Sequence, residues 1–183
     1  ACRCFVENGP TVSTTLIAEA AGVSQATLFK RFKNKEQLMA LALTHESPVL
    51  LQHIQPPDPE QCIRTQLEAM CGFMMVVFRI VVPRFMVLAS SGSNAPSSLF
   101  GGENGPPALA RRALTNWFEQ AQSQGQLADF DAHSFAVALI GMMQTRPFRE
   151  VALGDLTLQR SDEEYVAAII DVLWTGMSPK ENS

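Results

Sequence analysis

Hydrophobic residues recur every three or four positions along most of the chain, which is the spacing of one face of an α-helix. Four long stripes of this kind cover residues 63–81, 109–121, 132–143 and 166–174, and shorter ones occur before residue 45. No segment alternates with the two-residue period of a half-buried strand, and no internal repeat is visible. The pattern therefore predicts an all-α fold.

Proline and capping residues set the expected ends of the first long helix. In residues 55–59, Gln-Pro-Pro-Asp-Pro, Asp58 is placed to cap a helix whose first residue is Pro59. Pro83 should end this helix and restart the chain in a short one to about residue 90. The following stretch, residues 90–107, is rich in Ser, Gly, Asn and Pro, and we expect a mobile loop there, anchored by Leu99 and Phe100.

The later helices carry similar signals. Helix propensity returns near residue 107, and Asp129 or Asp131 should cap the helix after that. Pro147 should bend the end of this helix. Ser161 and Glu164 have the spacing of a capping box, which predicts the start of the last helix.

Residues 13–38, STTLIAEAAGVSQATLFKRFKNKEQL, have the pattern of two short helices joined by a glycine turn. Ser13 suits the first turn of the first helix, and Gly22 stands where a chain leaving a helix needs a left-handed residue. Ser24 can cap the second helix, in which Leu28 and Phe32 point inward. We expect this second helix to lie in a DNA groove.

The outward side chains of the second helix have the chemistry of base recognition. Gln25 can pair bidentately with adenine, and Thr27 can donate, accept or touch a thymine methyl group. Ala26 permits a close approach to the bases. These three residues are therefore expected to read sequence.

A basic run follows the second helix. Its members are Lys30, Arg31, Lys33 and Lys35. Asn34 can cap a third helix with Gln37 completing a capping box, and the free backbone N–H groups at that helix start favour a phosphate. A basic run can also be an ordinary solvated surface, but its position directly after a helix-turn-helix pattern favours DNA.

The segment IAEAAGVSQATLFKRFKNKEQL resembles the DNA-binding signature of the tetracycline-repressor (TetR) family, which combines Ile-Ala, Ala-Gly-Val-Ser, Thr-Leu-Tyr or Thr-Leu-Phe, and Lys-Glu-x-Leu. Carried over residue by residue, the resemblance places base-facing positions at Gln25, Ala26, Thr27 and Phe29, and phosphate-facing positions at Ser13, Arg31 and Lys35. Ser24 and Lys30 complete the set expected near DNA. The usual Tyr is Phe29 here, which lacks a hydroxyl for a phosphate, and the common Gly is Ala26.

The resemblance covers about the first quarter of the chain and implies the architecture of the rest. We expect a three-helix DNA-binding domain over residues 1–45 and a larger helical domain for ligand binding and dimerisation over residues 46–183. The third helix should continue toward Leu51 as a lever, with a bend at Pro48. The family's first helix is usually longer, so residues are expected before Ala1.

The charge distribution agrees with this division. The net charge of −4 splits into +2 over residues 1–45, from five basic and three acidic residues, and −6 over the remainder, from nine and fifteen. Positive charge therefore lies where the helix-turn-helix pattern lies.

Composition and spacing argue against several other classes. With 46% apolar residues, disorder is not expected. There is no pattern of a signal peptide, and the most apolar stretch, residues 73–88, is interrupted by charges and Pro83. Cys62 and Cys71 should face opposite sides of one helix, and Cys2 and Cys4 lack a second ligand pair. We therefore expect reduced thiols, no metal, no cofactor and a cytoplasmic protein.

An enzyme is the first rival interpretation, and the chain offers it little. Nucleophile elbow, phosphate-binding loop and zinc-protease motifs do not occur. His45, His53 and His133 are scattered along the chain, and capping explains Asp129 and Asp131.

Methionine and aromatic residues are dense between the expected domain boundary and the last two helices. They suit a pocket for a hydrophobic or aromatic effector, although each one singly is more often a core residue. The candidates are Met70, Phe73, Met74, Val77, Phe78, Phe85, Met86, Trp117, Phe118 and Gln144. Arg79, Arg84 and Gln120 are further polar candidates if they face inward.

The last two helices carry more apolar residues than a peripheral pair needs. In the TetR family these helices form a four-helix bundle with a second subunit, so the resemblance implies a homodimer on a near-palindromic operator. The candidate interface residues are Phe135, Leu139, Ile140, Met143, Ile169, Ile170, Leu173 and Trp174. The alternative is that they form the core of a single chain.

The expected function is a ligand-responsive transcriptional regulator, in which an effector that prefers the wrong spacing of the two reading helices releases the operator. One alternative keeps DNA binding but makes the C-terminal part only a dimerisation or protein-docking module. Another is a helical binding protein whose first domain no longer binds DNA, for which Phe29 is the only hint.

Overall fold

The computed structural model describes residues 1–44, 53–92, 101–154 and 160–177. Within these ranges the chain forms eight helices, which are α1 (Cys2–Asn8), α2 (Thr14–Ala20), α3 (Gln25–Arg31), α4 (Lys35–Thr44), α5 (Ile63–Ser90), α6 (Pro106–Ser123), α7 (Ala132–Leu153) and α8 (Asp162–Met177). The prediction of an all-α fold, with an N-terminal helix-turn-helix followed by a larger helical part, is confirmed.

Two hydrophobic cores organise these helices. The smaller core lies among α1 to α4 and includes Phe5, Ile17 and Leu38, all nearly or fully buried. The larger core lies among α5 to α8, where α5 packs against α7 and α8, and α7 also packs against α6. The apolar stripes predicted from the sequence are therefore the faces by which the helices pack into the two cores.

Helix α5 belongs to both cores. Leu67 and Met75 are buried in the larger core, whereas Val87 and Leu88 are buried in the smaller one. The 28 residues of α5 extend about 42 Å at the usual rise per residue. A single continuous helix therefore joins the helix-turn-helix to the rest of the chain.

The expected break at Pro83 is wrong, because Pro83 lies inside α5. Proline removes one backbone hydrogen bond and costs roughly 3 kcal/mol in a helix interior. Burial of α5 side chains on both sides of Pro83 offsets that cost, since each large apolar side chain contributes about 1.5 to 3 kcal/mol. Tertiary packing thus overrides the local signal.

The start of α5 also differs from the prediction. It begins at Ile63, and Asp58 instead closes a turn in which its side chain accepts hydrogen bonds from the backbone of Glu60 at 2.9 Å and the side chain of Gln61 at 2.7 Å. Gln66 reaches back from α5 to the backbone of Asp58, accepting at 2.8 Å and donating at 2.8 Å. These local bonds compete successfully with a helix start at Pro59.

Other predicted ends agree with the structure. Asp131 caps α7 by accepting from the backbone N–H groups of His133 and Ser134. Ser161 and Glu164 form the reciprocal capping box at the start of α8, with bonds of 3.1 and 2.8 Å. Pro147, which was expected to bend the end of this helix, lies inside α7, which continues to Leu153, and the bend stays a prediction.

Some expectations concern residues outside the described ranges. Helix α4 is described as far as Thr44, so its extension toward Leu51 and the bend at Pro48 lie outside them. The same holds for the anchoring of the loop by Leu99 and Phe100.

Among the described residues, α5 is long and apolar enough to cross a membrane by length and composition alone, with 33% of the relevant window buried. This is weak support for a span, since the central helix of a folded core has the same length and composition.

Candidate nucleic-acid interface

Helices α2 and α3 form the helix-turn-helix expected from the sequence. The side chain of Ser13 accepts from the first turn of α2 at 3.2 Å, and that of Ser24 accepts from the first turn of α3 at 3.1 Å. Gly22 occupies the turn with a φ of 66°, a conformation that disfavours other residues. Ile17 and Leu28 are buried where the two helices meet the small core. Their packing fixes α3 against α2.

Only Leu28 of α3 is buried, so the rest of the helix surface forms a broad exposed face. This face carries Gln25, Ala26, Thr27, Phe29, Lys30 and Arg31. Phe29 is 41% exposed, so its ring is not needed for the core. The hydroxyl groups of Ser24 and Thr27 lie 2.9 Å apart and share a hydrogen bond. The face therefore offers an amide, a hydroxyl and an aromatic ring, ending in two cations.

Two hydroxyl groups that sequence reasoning did not single out lie beside this face. The amide nitrogen Nε2 of Gln25 donates to Oγ1 of Thr15 at 2.6 Å and to Oγ1 of Thr14 at 3.2 Å. The run of hydroxyl residues at the start of α2 was the available signal, but the pairing depends on the crossing of the two helices. Gln25 is thus exposed but held in place.

The turn between α3 and α4 is ordered by side chains. Asn34 accepts from the backbone N–H of Gln37 at 2.8 Å, as expected for a cap. The side chain of Gln37 accepts from the backbone N–H of Lys33 at 2.8 Å, one residue before the expected partner. Arg31 lies over the ring of Phe32, 5.8 Å from its centroid. Lys30, Lys33 and Lys35 therefore lie in or next to this ordered turn, with Lys30 and Lys33 exposed and Lys35 half-buried.

A buried ionic cluster joins three helices of the larger core. Arg146 on α7 is only 7% exposed. It bonds Glu150 at 3.1 Å, donates to the backbone carbonyl of Ser161 at 2.9 Å, and lies 3.5 Å from Asp162. Arg79 on α5 bonds the same two carboxylates at 2.6 and 2.5 Å.

Both carboxylates of this cluster respond to their cationic neighbours. Arg79, followed by Arg146, lowers the pKa of Glu150, and Arg79 likewise lowers the pKa of Asp162. Arg79 therefore serves an ion pair rather than facing inward as a polar contact for a ligand. Sequence reasoning missed Arg146, although an arginine among the apolar residues of this helix was the signal of a buried partner.

The structure places the predicted ligand residues in different surroundings. Met74, Trp117 and Phe118 are buried in the larger core, where the two aromatic rings meet edge to face at 5.2 Å. Met70 and Phe78 pack partly buried against that core, and Val77 and Met86 are half-buried. Phe73 stacks on His53 with ring centroids 4.1 Å apart. Phe85 and Gln144 are exposed, because they occupy the outer faces of their helices.

An open cleft of about 830 Å³ lies elsewhere, between the helix-turn-helix and α5. Its lining includes Ala1, Cys2, Leu28, Leu41 and Arg84. None of the predicted ligand residues lines it. Of the polar candidates, Arg84 lies at this cleft and Gln120 is exposed.

The predicted interface residues divide into two groups. Leu139, Met143 and Ile170 are fully buried within one chain, so they are core residues and not a surface for a partner. They lie in the larger core, and the sequence pattern alone did not distinguish such a stripe from an outward one. The other five are partly buried against the larger core, namely Phe135, Ile140, Ile169, Leu173 and Trp174.

Other apolar residues of α7 and α8 are more exposed. Val137, Phe148 and Val151 lie along one face of α7, and Val172 on α8 is 79% exposed. Gly141 and Gln144 lie between them on the same exposed face of α7. This outward apolar surface has no covering helix among the described residues.

The cysteines have no disulfide partners. Cys71 is buried, which raises the pKa of its thiol to about 12, whereas Cys62 is exposed just before α5. The described residues bring no three potential metal ligands together.

Comparisons with known proteins agree with the helix-turn-helix geometry. Residues 1–42 match the family model described as bacterial regulatory proteins, tetR family. No curated protein matches the chain significantly.

Solved structures match nearly the whole chain. One from Mesorhizobium loti, described as a TetR-family transcriptional regulator, has a TM-score of 0.73 and 18% identity over 97% of this chain and 92% of that one. The flavonoid-responsive regulator FrrA has a TM-score of 0.61 and 25% identity over 98% and 93%. The ketosteroid transcriptional regulator KstR2 of Mycobacterium tuberculosis has a TM-score of 0.59 and 13% identity over 98% and 91%. The architecture of all eight helices is therefore that of these regulators.

Proposed function

We propose that the chain is a DNA-binding transcriptional regulator of the TetR family, and that it acts as an effector-released repressor, as a homodimer on a near-palindromic operator. The exposed face of α3 is the observation that carries this proposal. A face without a packing role, flanked by cations, has the properties of a helix that enters a major groove.

Each side chain of this face has a proposed role. Gln25, Ala26, Thr27 and Phe29 face bases, and Ser13, Ser24, Lys30, Arg31 and Lys35 lie near phosphates. Phe29 has no hydroxyl, so its ring contributes apolar contact, for example with a thymine methyl group. The phosphate contacts set register and the base contacts set sequence preference.

Selection of bound fragments from random DNA tests this assignment. Thr27→Ala should relax preference at one base position, by about 1 to 3 kcal/mol of discrimination. Lys35→Ala should weaken all sequences alike and reduce the slope of log affinity against log salt by about 1. Arg112→Ala, an exposed cation on α6, is the matched control and should leave that slope unchanged. No shift of any duplex at low salt would contradict the proposal.

The dimer is proposed to form through the outward faces of α7 and α8. The exposed apolar side chains there, led by Val172, are the support, because a patch of this kind normally marks an interface. A two-fold pair would also place two α3 helices on half-sites one or more turns apart. Val172→Glu should yield monomers by light scattering, and Val76→Glu, 55% exposed on α5, should not. A wild-type chain that is monomeric at micromolar concentration would contradict this part.

The effector is proposed to be a small hydrophobic or aromatic molecule. Support comes from half-buried Met70 and Phe73 on α5, and from the name of FrrA, which describes that relative as flavonoid-responsive. A molecule that displaces His53 from Phe73 would contact α5, whose far end is packed in the small core. It would weaken DNA binding by binding one of two dimer states more tightly than the other. The loss of operator affinity cannot exceed the ratio of the effector's affinities for these two states.

A thermal-shift panel that includes flavonoids tests the effector. A ligand should raise the melting temperature, and operator affinity should then fall severalfold in its presence. Phe73→Ala should abolish both effects, whereas Val76→Ala, which is 55% exposed on the same helix, should leave them intact. If tight ligands leave DNA affinity unchanged, the C-terminal part only dimerises or docks a protein.

The division of labour proposed for the chain places DNA binding in residues 1–45 and effector binding with dimerisation in residues 46–183. A cytoplasmic location follows as part of the proposal, since the operator is chromosomal DNA.

A further inference from the structure

We infer that Thr15, together with Thr14, decides which bases Gln25 accepts, by holding the amide nitrogen of Gln25 against α2. This inference rests on the proposed reading role of Gln25. It concerns the specificity of that contact and adds Thr15 as a positioning residue.

The geometry uses the whole donor capacity of the amide. Nε2 of Gln25 carries two hydrogens, and it donates to two hydroxyl oxygens, at 2.6 Å to Thr15 and at 3.2 Å to Thr14. Within the described residues, Oε1 of Gln25 accepts no hydrogen bond. The side chain therefore presents an acceptor to the groove and has no donor left.

An acceptor alone reads bases differently from a free glutamine. Bidentate pairing with adenine requires Oε1 to accept from the N6 amine while Nε2 donates to N7. With Nε2 occupied, only the first bond forms. Cytosine offers an equivalent amine at N4, whereas guanine and thymine present acceptors in the major groove. Gln25 should consequently accept adenine and cytosine about equally and disfavour guanine and thymine.

The hydrogen bonds from Nε2 of Gln25 to Thr14 and Thr15 should persist when DNA binds. Turning Nε2 toward N7 of adenine gives up two intramolecular hydrogen bonds and gains one. The hydroxyl groups cannot follow the nitrogen, because the buried side chains of Ile17 and Leu28 fix the crossing of α2 and α3. Because these two bonds already hold Gln25 in the free protein, little further conformational entropy of this side chain is lost when DNA binds.

The test begins by locating the operator position that Gln25 reads, which is the position where Gln25→Ala loses its base preference. At that position the wild-type protein should bind adenine and cytosine within about threefold of each other. Thr15→Val removes the shorter bond without changing side-chain shape, and Thr14→Val/Thr15→Val removes both. Each variant should prefer adenine over cytosine by roughly 5-fold or more, the lower end of what a bidentate pair provides. Thr15→Ser should behave as the wild type.

A second measurement changes the DNA instead of the protein and compares the wild type with Thr15→Val. Replacing adenine by 7-deazaadenine at that position keeps the N6 amine but removes the N7 acceptor. The wild-type protein should bind this DNA within about twofold of the normal operator, while Thr15→Val should lose roughly 5-fold or more. Circular dichroism and the melting temperature confirm that each variant is folded.

The outcomes separate this inference from the proposed function. If Gln25→Ala changes base preference but the wild-type protein loses affinity for 7-deazaadenine DNA, Nε2 reads N7 and the inference is wrong while the reading role stands. If Thr15→Val weakens all sequences alike without changing preference, Thr15 is a phosphate contact and the inference is also wrong. If Gln25→Ala alters no preference at any position, the proposed reading role itself fails.

Discussion

Replacing Arg146 by Met should destabilise the protein far more than the same replacement at Arg79, although both arginines bond the same two carboxylates. Arg146 is 7% exposed, whereas the side chain of Arg79 is 40% exposed. Methionine keeps most of the apolar volume in both cases, so the comparison isolates the charged group. The difference in the free energy of unfolding between the two variants therefore measures how burial changes the contribution of a cation to stability.

The magnitude follows from what each arginine leaves behind. Arg146→Met removes the donors to the backbone carbonyls of Arg160 and Ser161, just before α8, and leaves Glu150 with half of its cationic partners. Breaking a buried ion pair by removing one partner costs about 3 to 5 kcal/mol. Arg79→Met removes two ion pairs of a partly exposed cation that water screens, for which about 1 kcal/mol or less each is expected. The variants should thus differ by at least about 1 kcal/mol.

Urea unfolding at neutral pH, followed by circular dichroism, is the assay. The midpoint should fall strongly for Arg146→Met and slightly for Arg79→Met, with the slope m unchanged in both. Equal losses in the two variants would refute the reasoning, because burial would then not determine the contribution. A change in m would instead indicate that the compactness of one state had changed.

Three further predictions follow from the same structure. Since the pKa of Glu150 and of Asp162 is lowered from the usual 4.5 and 3.8, their contribution is complete above these values and is lost as the pH falls below them. The urea midpoint should therefore fall between about pH 5 and 3, and the double Gln and Asn variant should show a shallower fall. Leu88→Ala should cost about 2 to 5 kcal/mol and weaken operator binding, because Leu88 supports the small core from α5. Val76→Ala on the exposed face of α5 should stay within about 0.5 kcal/mol of the wild type in urea unfolding.

The helix-turn-helix was predictable because its signals are local. A cap such as Ser24 and a turn residue such as Gly22 act on neighbours a few positions away, and the structure shows both in the expected roles. The partner of Gln25 was not predictable, since the hydroxyl of Thr15 reaches it only through the crossing of two helices.

The errors in the second half have one common origin. Helical periodicity identifies an apolar face but not the element that covers it. The pattern therefore indicated a partner subunit for Leu139 and Ile170, which are buried in the larger core of the same chain. Pro83 was assigned a helix end for a related reason, because burial at both ends of α5 is invisible in the local sequence.

The shared helix α5 also determines how the protein can be divided. A fragment that stops at Thr44 would lack Val87 and Leu88, so the smaller core, which includes Phe5 and Leu38, would be exposed to water on that side. This fragment of residues 1–44 should be poorly folded when produced alone. Grafting it onto another protein would require a substitute for the C-terminal end of α5. Engineering of hybrid regulators from this chain should accordingly carry residues 1–92 as a unit.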